Sequence, residues 1–153
     1  MTFDGIDLAD LIGHPGAFRE VSVTGALQDL GTEVARVRED VPVGGALLLE
    51  SVVEGILVSG RLEGVLALRC ARCLEELDRP FQVEVHELYV ERPGPDGDEY
   101  ELGPDRTLDP DHMIRDAIGL ELPFSPLCRD GCRGLCDVCG GDRNLGQCPG
   151  HEQ

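Results

Sequence analysis

Between Phe18 and Val90 the chain alternates between apolar and polar positions, which is the pattern of β-strands that bury one face. Four runs follow this pattern, "FREVSVTG", "ALLLESVVEGILVSG", "GRLEGVLALRC" and "PFQVEVHELYV", and glycines punctuate them. In the last run, the apolar residues that share one face are Phe81, Val83, Val85 and Tyr89. This part of the sequence predicts an antiparallel β-sheet with one buried face.

Two other segments have helical spacing. The N-terminal "DGIDLADLIG" predicts a short helix that Gly13 would end. A stronger signal lies in "LDPDHMIRDAIGLELP", where Asp109 can cap a helix and Pro110 fits its first turn. The apolar stripe of this helix consists of Met113, Ile114, Ala117 and Ile118. Such a stripe is ordinarily core, so we expect this main helix to cover the sheet.

The segment between the sheet and this helix is acidic. Residues 91–111 are rich in acids and prolines, and they predict a solvated loop with one short strand at "EYEL". We expect one domain over residues 1–153, with an N-terminal helix and sheet in 1–90, the acidic loop in 91–111, and a helix and zinc-binding tail in 112–153. The predicted fold class is α+β: an antiparallel β-sheet or partly closed barrel covered by one main helix, with a Cys-rich C-terminal tail.

The charge of the chain limits its partners. Thirty acidic residues against thirteen basic ones leave a formal net charge of -17, which repels nucleic acid and anionic membranes at long range. All thirteen basic residues are arginine, so a Schiff-base lysine and a Walker-type phosphate lysine are excluded. The acidic N-terminus lacks a signal-peptide pattern, and no apolar stretch is long enough to span a bilayer. We therefore expect a cytoplasmic protein without a membrane partner.

Seven cysteines are the main chemical feature of the sequence. In a reducing cytosol they indicate metal binding rather than disulfides. The CxxC of "LRCARCLEE" contains Cys70 and Cys73, whose spacing lets two thiolates reach one tetrahedral ion. The tail "CRDGCRGLCDVCGGDRNLGQCPGH" supplies the other candidates, which are Cys128, Cys132, Cys136, Cys139, Cys148 and His151. Eight ligands predict two tetrahedral zinc ions.

The spacing of the ligands favours one division between the two ions. The last four ligands, from Cys136 to His151, are close enough in sequence to form a self-contained site. Cys128 and Cys132 would then meet the distant CxxC and staple the tail onto the sheet. The sequence alone does not settle this pairing, so other divisions of the eight ligands stay open.

Five arginines lie near these cysteines in the sequence, and they are Arg69, Arg72, Arg129, Arg133 and Arg143. One interpretation is that they offset the negative charge of the thiolates. The other is that they form a small basic patch that contacts RNA phosphate or another partner.

Catalytic interpretations of the cysteines have less support. A thioredoxin-like redox pair lies at a helix N-terminus, whereas Cys70 ends a predicted strand. A catalytic zinc ion keeps an open position, whereas this sequence supplies four ligands for each ion. No catalytic triad, phosphate-binding glycine loop or paired-carboxylate motif stands out. We expect no enzymatic activity and no small-molecule substrate.

The order of these motifs resembles that of a known family. Strands leading into "LRCARCLEEL", an acidic stretch and a helix running into "LELPFSPLC" and "GLCDVCG" resemble the bacterial YceD family, the large ribosomal RNA subunit accumulation proteins. The resemblance matches Cys70, Cys73, Cys128 and Cys132 to the cysteine positions most widely shared in the family. The later cysteines match a tail that only some members have, and "RNLGQCPGH" departs from the usual "NLN" and CxC of that tail.

The resemblance implies a non-enzymatic ribosome-biogenesis factor that supports the accumulation or processing of large-subunit ribosomal RNA and contains structural zinc. Its partner would be a ribosomal RNA precursor or a basic large-subunit ribosomal protein. The residues alone leave a second hypothesis open, a redox-responsive zinc-thiolate switch that releases its metal on oxidation.

Overall fold

The computed structural model describes residues 3–95, 97–129, 131–135 and 139–141. The strands are β1 (Ile6–Asp7), β2 (Phe18–Gly25), β3 (Ala35–Val37), β4 (Val43–Ser51), β5 (Ile56–Arg69), β6 (Glu76–Val90), β7 (Tyr100–Glu101) and β8 (Thr107–Leu108). The helix is α1 (Asp111–Glu121), and a short 3-10 turn spans Pro104–Arg106. The fold is therefore mostly sheet with one main helix, as the sequence predicts.

Six strands form one sheet in the order β2-β4-β5-β6-β7, and β3 pairs with β5 outside this path. All pairs are antiparallel except that of β6 with β7. The β5–β6 hairpin is the longest, and its register runs from Ile56 opposite Tyr89 to Arg69 opposite Glu76. β4 and β3 pair with successive parts of the other edge of β5. The connection between Arg69 and Glu76 carries the CxxC.

The sheet is open, so the expectation of a partly closed barrel is wrong. β2 and β7 lie at opposite ends of the strand order and do not pair with each other within the described residues. β7 consists only of Tyr100 and Glu101 and pairs with the end of β6. Such a short strand does not supply the continuous pairing that closes a barrel.

One face of the sheet forms the core together with α1. Met113, Ile114 and Ile118 are buried in the same cluster as the inward-facing residues of β6, and Ala117 packs against that cluster. Burial of each large side chain is worth about 1.5–3 kcal/mol relative to exposure. The predicted helix and its apolar stripe are confirmed.

Hydrogen bonds fix the start of α1 on the sheet. The Tyr89 hydroxyl donates to the Asp109 carbonyl at 2.9 Å. The Asp109 side chain accepts from the Asp111 backbone N–H at 3.0 Å. The helix therefore begins after an aspartate, as predicted, although Pro110 is the N-cap residue rather than the first helical residue.

The predicted N-terminal helix is wrong. Ile6 pairs with Leu108 in the two-stranded sheet of β1 and β8. A single turn follows, in which the N–H groups of Leu11 and Ile12 donate to the Leu8 carbonyl. Ile6 and Leu8 are both buried, so their alternate spacing is a strand signal that outweighs the helical one. The acidic segment 91–111 consequently holds β8 as well as the short strand expected at "EYEL".

No helix in the described part of the chain is both long and apolar enough to cross a bilayer.

Candidate metal centre

The CxxC lies in the connection of the long β5–β6 hairpin. Cys70 directly follows β5, and its backbone N–H donates to the Glu75 carbonyl at 2.9 Å. The Leu74 N–H donates back to the Cys70 carbonyl at 3.0 Å, which closes a tight turn around Cys73. Leu74 adopts a left-handed backbone with φ 65°, a conformation that ordinarily favours glycine. This turn places both sulfur atoms on the same side of the hairpin end.

The segment after α1 is hydrogen-bonded to this turn. The Ala71 N–H donates to the Pro126 carbonyl at 2.7 Å, and the Leu135 N–H donates to the Arg72 carbonyl at 3.2 Å. These two bonds lie on either side of Cys128 and Cys132 in the sequence. The second cysteine pair is therefore held against the first by backbone contacts.

Arg72 joins the two segments through its side chain as well. Its Nη1 donates to the Cys132 carbonyl at 2.9 Å. Gly134 has φ +76°, and a Cβ there would lie 3.1 Å from the Arg72 carbonyl oxygen. A side chain at position 134 would therefore crowd the Arg72 carbonyl oxygen, and the positive φ also favours glycine there.

The four sulfur atoms form one compact cluster. The Sγ atoms of Cys70, Cys73, Cys128 and Cys132 all lie within 4.8 Å of one another. The Cys70–Cys132 distance is 3.5 Å and the Cys73–Cys128 distance is 3.6 Å. A disulfide requires about 2.05 Å, whereas four sulfurs around a zinc ion, each about 2.3 Å from it, are about 3.8 Å apart. The spacing fits a tetrahedral site of four thiolates.

The surroundings of the four clustered thiols favour one thiolate and oppose the formation of a second. Burial opposes ionisation of Cys70, but backbone hydrogen bonds from Cys73, Cys128 and Arg72 outweigh it and lower the pKa to about 6. Burial and the neighbouring sulfur atoms raise the pKa of Cys128 to about 12. Four thiolates at this separation repel one another strongly, so they ionise together only around a cation. This donor set suits zinc.

The structure brings together one of the two predicted groups of ligands. Cys70, Cys73 and Cys132 are buried, and Cys128 is half-buried. Of the second group, Cys139 is described and exposed. The other members, Cys136, Cys148 and His151, lie outside the described residues, so the second site stays a prediction.

The candidate arginines have different surroundings. Arg69 is exposed, and its Nη2 lies 3.8 Å from a Glu76 carboxylate oxygen. Arg129 and Arg133 are also exposed. Arg143 lies outside the described residues. Arg72, by contrast, takes part in the structural contact with Cys132.

The sequence does not reveal every residue that positions the cluster. Arg79 of β6 donates from Nη2 to the Leu127 carbonyl at 3.2 Å, next to Cys128 in the chain. Nothing in the local sequence of Arg79 distinguishes it from an ordinary surface residue. The positive φ of Leu74 is equally unexpected from the sequence. Its position directly after the CxxC is the one feature that could have indicated a tight turn there.

Comparisons with known proteins place the chain in a family. The family model described as "Large ribosomal RNA subunit accumulation protein YceD" matches residues 58–153, a range that contains both cysteine pairs of the cluster. An uncharacterized protein of Mycobacterium tuberculosis is 38% identical over 155 residues, which covers 95% of this chain and 72% of that protein. An uncharacterized protein of Mycobacterium leprae is 33% identical over 151 residues, covering 95% and 69% respectively. No solved structure gives a significant match. The chain belongs to the YceD family of large ribosomal RNA subunit accumulation proteins.

Proposed function

We propose that this chain is a non-enzymatic factor that supports accumulation of large-subunit ribosomal RNA and acts in the cytoplasm, where ribosomes are assembled. The observation that carries the proposal is the family match over residues 58–153, which includes both halves of the cysteine cluster. The match links the region to ribosome biogenesis in general. A site in which four cysteines fill every position around an ion supports the non-enzymatic part of the proposal.

The cluster has the features of a structural zinc site. Cys70, Cys73, Cys128 and Cys132 would supply all four ligands, which leaves no position for a reacting water molecule. The ion would join the end of the β5–β6 hairpin to the segment after α1. A second ion would be held by Cys136, Cys139, Cys148 and His151.

Charge supports a basic protein as the first partner. The formal net charge of -17 disfavours long-range attraction to RNA. Near the cluster, Arg72 is engaged with Cys132 and Arg69 lies close to Glu76. The candidates for contact with RNA phosphate are still the five arginines Arg69, Arg72, Arg129, Arg133 and Arg143, so a direct RNA contact would be local and small.

Depletion of the protein tests this function. We expect the large-subunit ribosomal RNA to fall relative to the small-subunit RNA, and wild-type protein to restore the ratio. Cys70→Ser should restore it less well than the matched variant Ser125→Ala, which changes a residue outside the cluster. An unchanged RNA ratio after depletion would remove the assembly role.

Direct RNA binding is tested separately. Purified protein and a precursor RNA fragment should bind weakly, with a salt dependence equivalent to about one or two phosphates. Arg129→Ala and Arg133→Ala should reduce that slope. A steep slope would show that RNA, rather than a basic protein, is the primary partner.

Burial of the cluster argues against the redox-switch hypothesis. Three of the four clustered thiols are buried, and oxidation proceeds most readily at accessible thiolates. Zinc release measured at mild peroxide doses distinguishes the two functions, since a structural centre should retain its metal.

A further inference from the structure

The outer face of the sheet, opposite the core, carries an unusual group of apolar residues. The strand registers place Phe18 opposite Glu50, Glu50 opposite Leu57, and Leu57 opposite Leu88. Directly opposed residues of antiparallel strands lie on the same face. Three apolar side chains and one glutamate therefore form a row across β2, β4, β5 and β6.

The neighbouring row adds one leucine, and a further apolar residue lies in the turn at the end of β4 and β5. Leu48 of β4 lies opposite Glu20 of β2 on the same face. Val53 occupies the β4–β5 turn, which is closed by reciprocal backbone hydrogen bonds between Val52 and Gly55. We call the five apolar residues the hairpin-end patch, and they are Phe18, Leu48, Val53, Leu57 and Leu88.

The core does not account for the hairpin-end patch. None of its residues belongs to the core cluster or to the residues packed on it in the described structure. Phe18 is 72% exposed and Val53 is 86% exposed. Leu48, Leu57 and Leu88 are half-buried. Phe18 and Leu57 are both diagonal neighbours of Leu48 in the register, so Phe18 is not an isolated apolar side chain.

The middle of the outer face carries polar pairs. Arg61 bonds to Glu84 across β5 and β6, and Gln82 bonds to Glu63. This is the usual composition for the solvent side of an antiparallel sheet. A contiguous apolar area on such a face is typical of an interaction site.

Acidic residues surround the hairpin-end patch. Glu20 and Glu50 lie within its two rows, and Glu54 follows Val53 in the turn. His86 is the neighbour on β6 and is exposed. The nearest arginine on this face in the strand register, Arg61, is paired with Glu84. An apolar centre with carboxylates at its edge complements a segment that carries both apolar and cationic side chains.

A cavity beside the turn has the same character. It has a volume of about 480 Å³, and its lining includes Val53, Glu54, Val90 and Glu99, with one cation, Arg92. Apolar walls with carboxylates suit the aliphatic stem and charged end of a lysine or arginine.

We propose that the hairpin-end patch docks a basic, amphipathic segment of a large-subunit ribosomal protein. This inference rests on the proposed function and identifies the surface that its protein partner uses. Apolar side chains of the segment pack on Phe18, Leu57 and Leu88, and its lysines or arginines face Glu20, Glu50 and Glu54. A second copy of this chain would bring the same carboxylates together, and RNA would meet them with its own negative charge.

Binding of individually purified basic large-subunit ribosomal proteins tests the proposal. Phe18→Ser should raise the dissociation constant for the ribosomal protein that binds by about tenfold or more. Phe124→Ser is the matched control, because Phe124 is 93% exposed but lies outside the patch, between α1 and Cys128 in the sequence. It should leave binding unchanged. Both residues are exposed, so both variants should keep the wild-type melting temperature. Glu50→Lys should weaken binding and reduce its salt dependence.

Several results would overturn the proposal. One is that none of the ribosomal proteins binds. Another is that Phe18→Ser and Phe124→Ser have equal effects. A third is that the wild type is a dimer and Phe18→Ser dissociates it. Binding of a precursor RNA fragment that Phe18→Ser abolishes would instead assign the patch to RNA. The depletion experiment separates this failure from failure of the proposed function, because a changed ribosomal RNA ratio supports the function whichever surface binds the partner.

Discussion

Loss of Cys70 tests whether the cysteine cluster acts as a long-range staple. Cys70 is fully buried, and its sulfur lies 3.5 Å from that of Cys132, 62 positions away in the sequence. Cys70→Ser removes one of four proposed ligands at the end of the longest hairpin. The hydrogen bonds between the CxxC turn and the 126–135 segment would remain, without an ion to reinforce them.

The binding free energy of the proposed ion sets the size of the effect, because the site forms only in the folded chain. The shortest connection through the cluster, between Cys73 and Cys128, spans 55 positions. A hundred-fold loss of zinc affinity on removal of one ligand would lower the free energy of unfolding by about 2.7 kcal/mol. We therefore expect a loss of about 3 kcal/mol. For a domain of this size, that corresponds to a melting temperature lower by about 6–12 °C.

Thermal melting of Cys70→Ser and Cys148→Ser provides the comparison. Cys148 belongs to the proposed local site of the tail, so its loss should reduce the melting temperature of the sheet much less. A zinc chelator should lower the melting temperature of the wild type and have little further effect on Cys70→Ser. Equal decreases for the two variants would refute the long-range pairing, and an unaffected Cys70→Ser would refute the staple itself.

Three further predictions concern metal content, backbone strain and alkaline pH. Elemental analysis of purified protein should find close to two zinc ions per chain, and a value of one would remove the tail site. Leu74→Gly should raise the free energy of unfolding by about 0.5–1 kcal/mol in denaturant titration, because glycine relieves the left-handed φ of an exposed leucine; a loss of stability would show that the leucine side chain contributes to the fold. Burial raises the pKa of Tyr89 above its usual value, so its hydroxyl stays protonated in the folded protein while the unfolded chain ionises. The free energy of unfolding should therefore fall as pH rises above about 10, and Tyr89→Phe should weaken that dependence; an unchanged slope would contradict the assignment.

The sequence determined those elements whose signals are local. In α1, the stripe of Met113, Ile114 and Ile118 matches the helical period, and the residues before it suit a helix start, so neighbouring positions were sufficient evidence. The strand "FREVSVTG" coincides with β2 because its alternation spans the whole element. The cysteine spacing likewise indicated metal ligands, since a CxxC needs only a tight turn to present two thiolates to one ion.

The tertiary structure decided what depends on residues far apart in the chain. Ile6 and Leu8 form a strand and turn rather than a helix because Leu108, far away in the sequence, supplies the pairing partner of Ile6. The sheet stays open because β7 is too short to close it, and no local pattern shows that. Only the pairing of β5 with β6 and the contacts of Arg72 bring the CxxC to Cys128 and Cys132. Ligand type is a property of single residues and short spacings, whereas ligand pairing depends on long-range packing, which one sequence does not display.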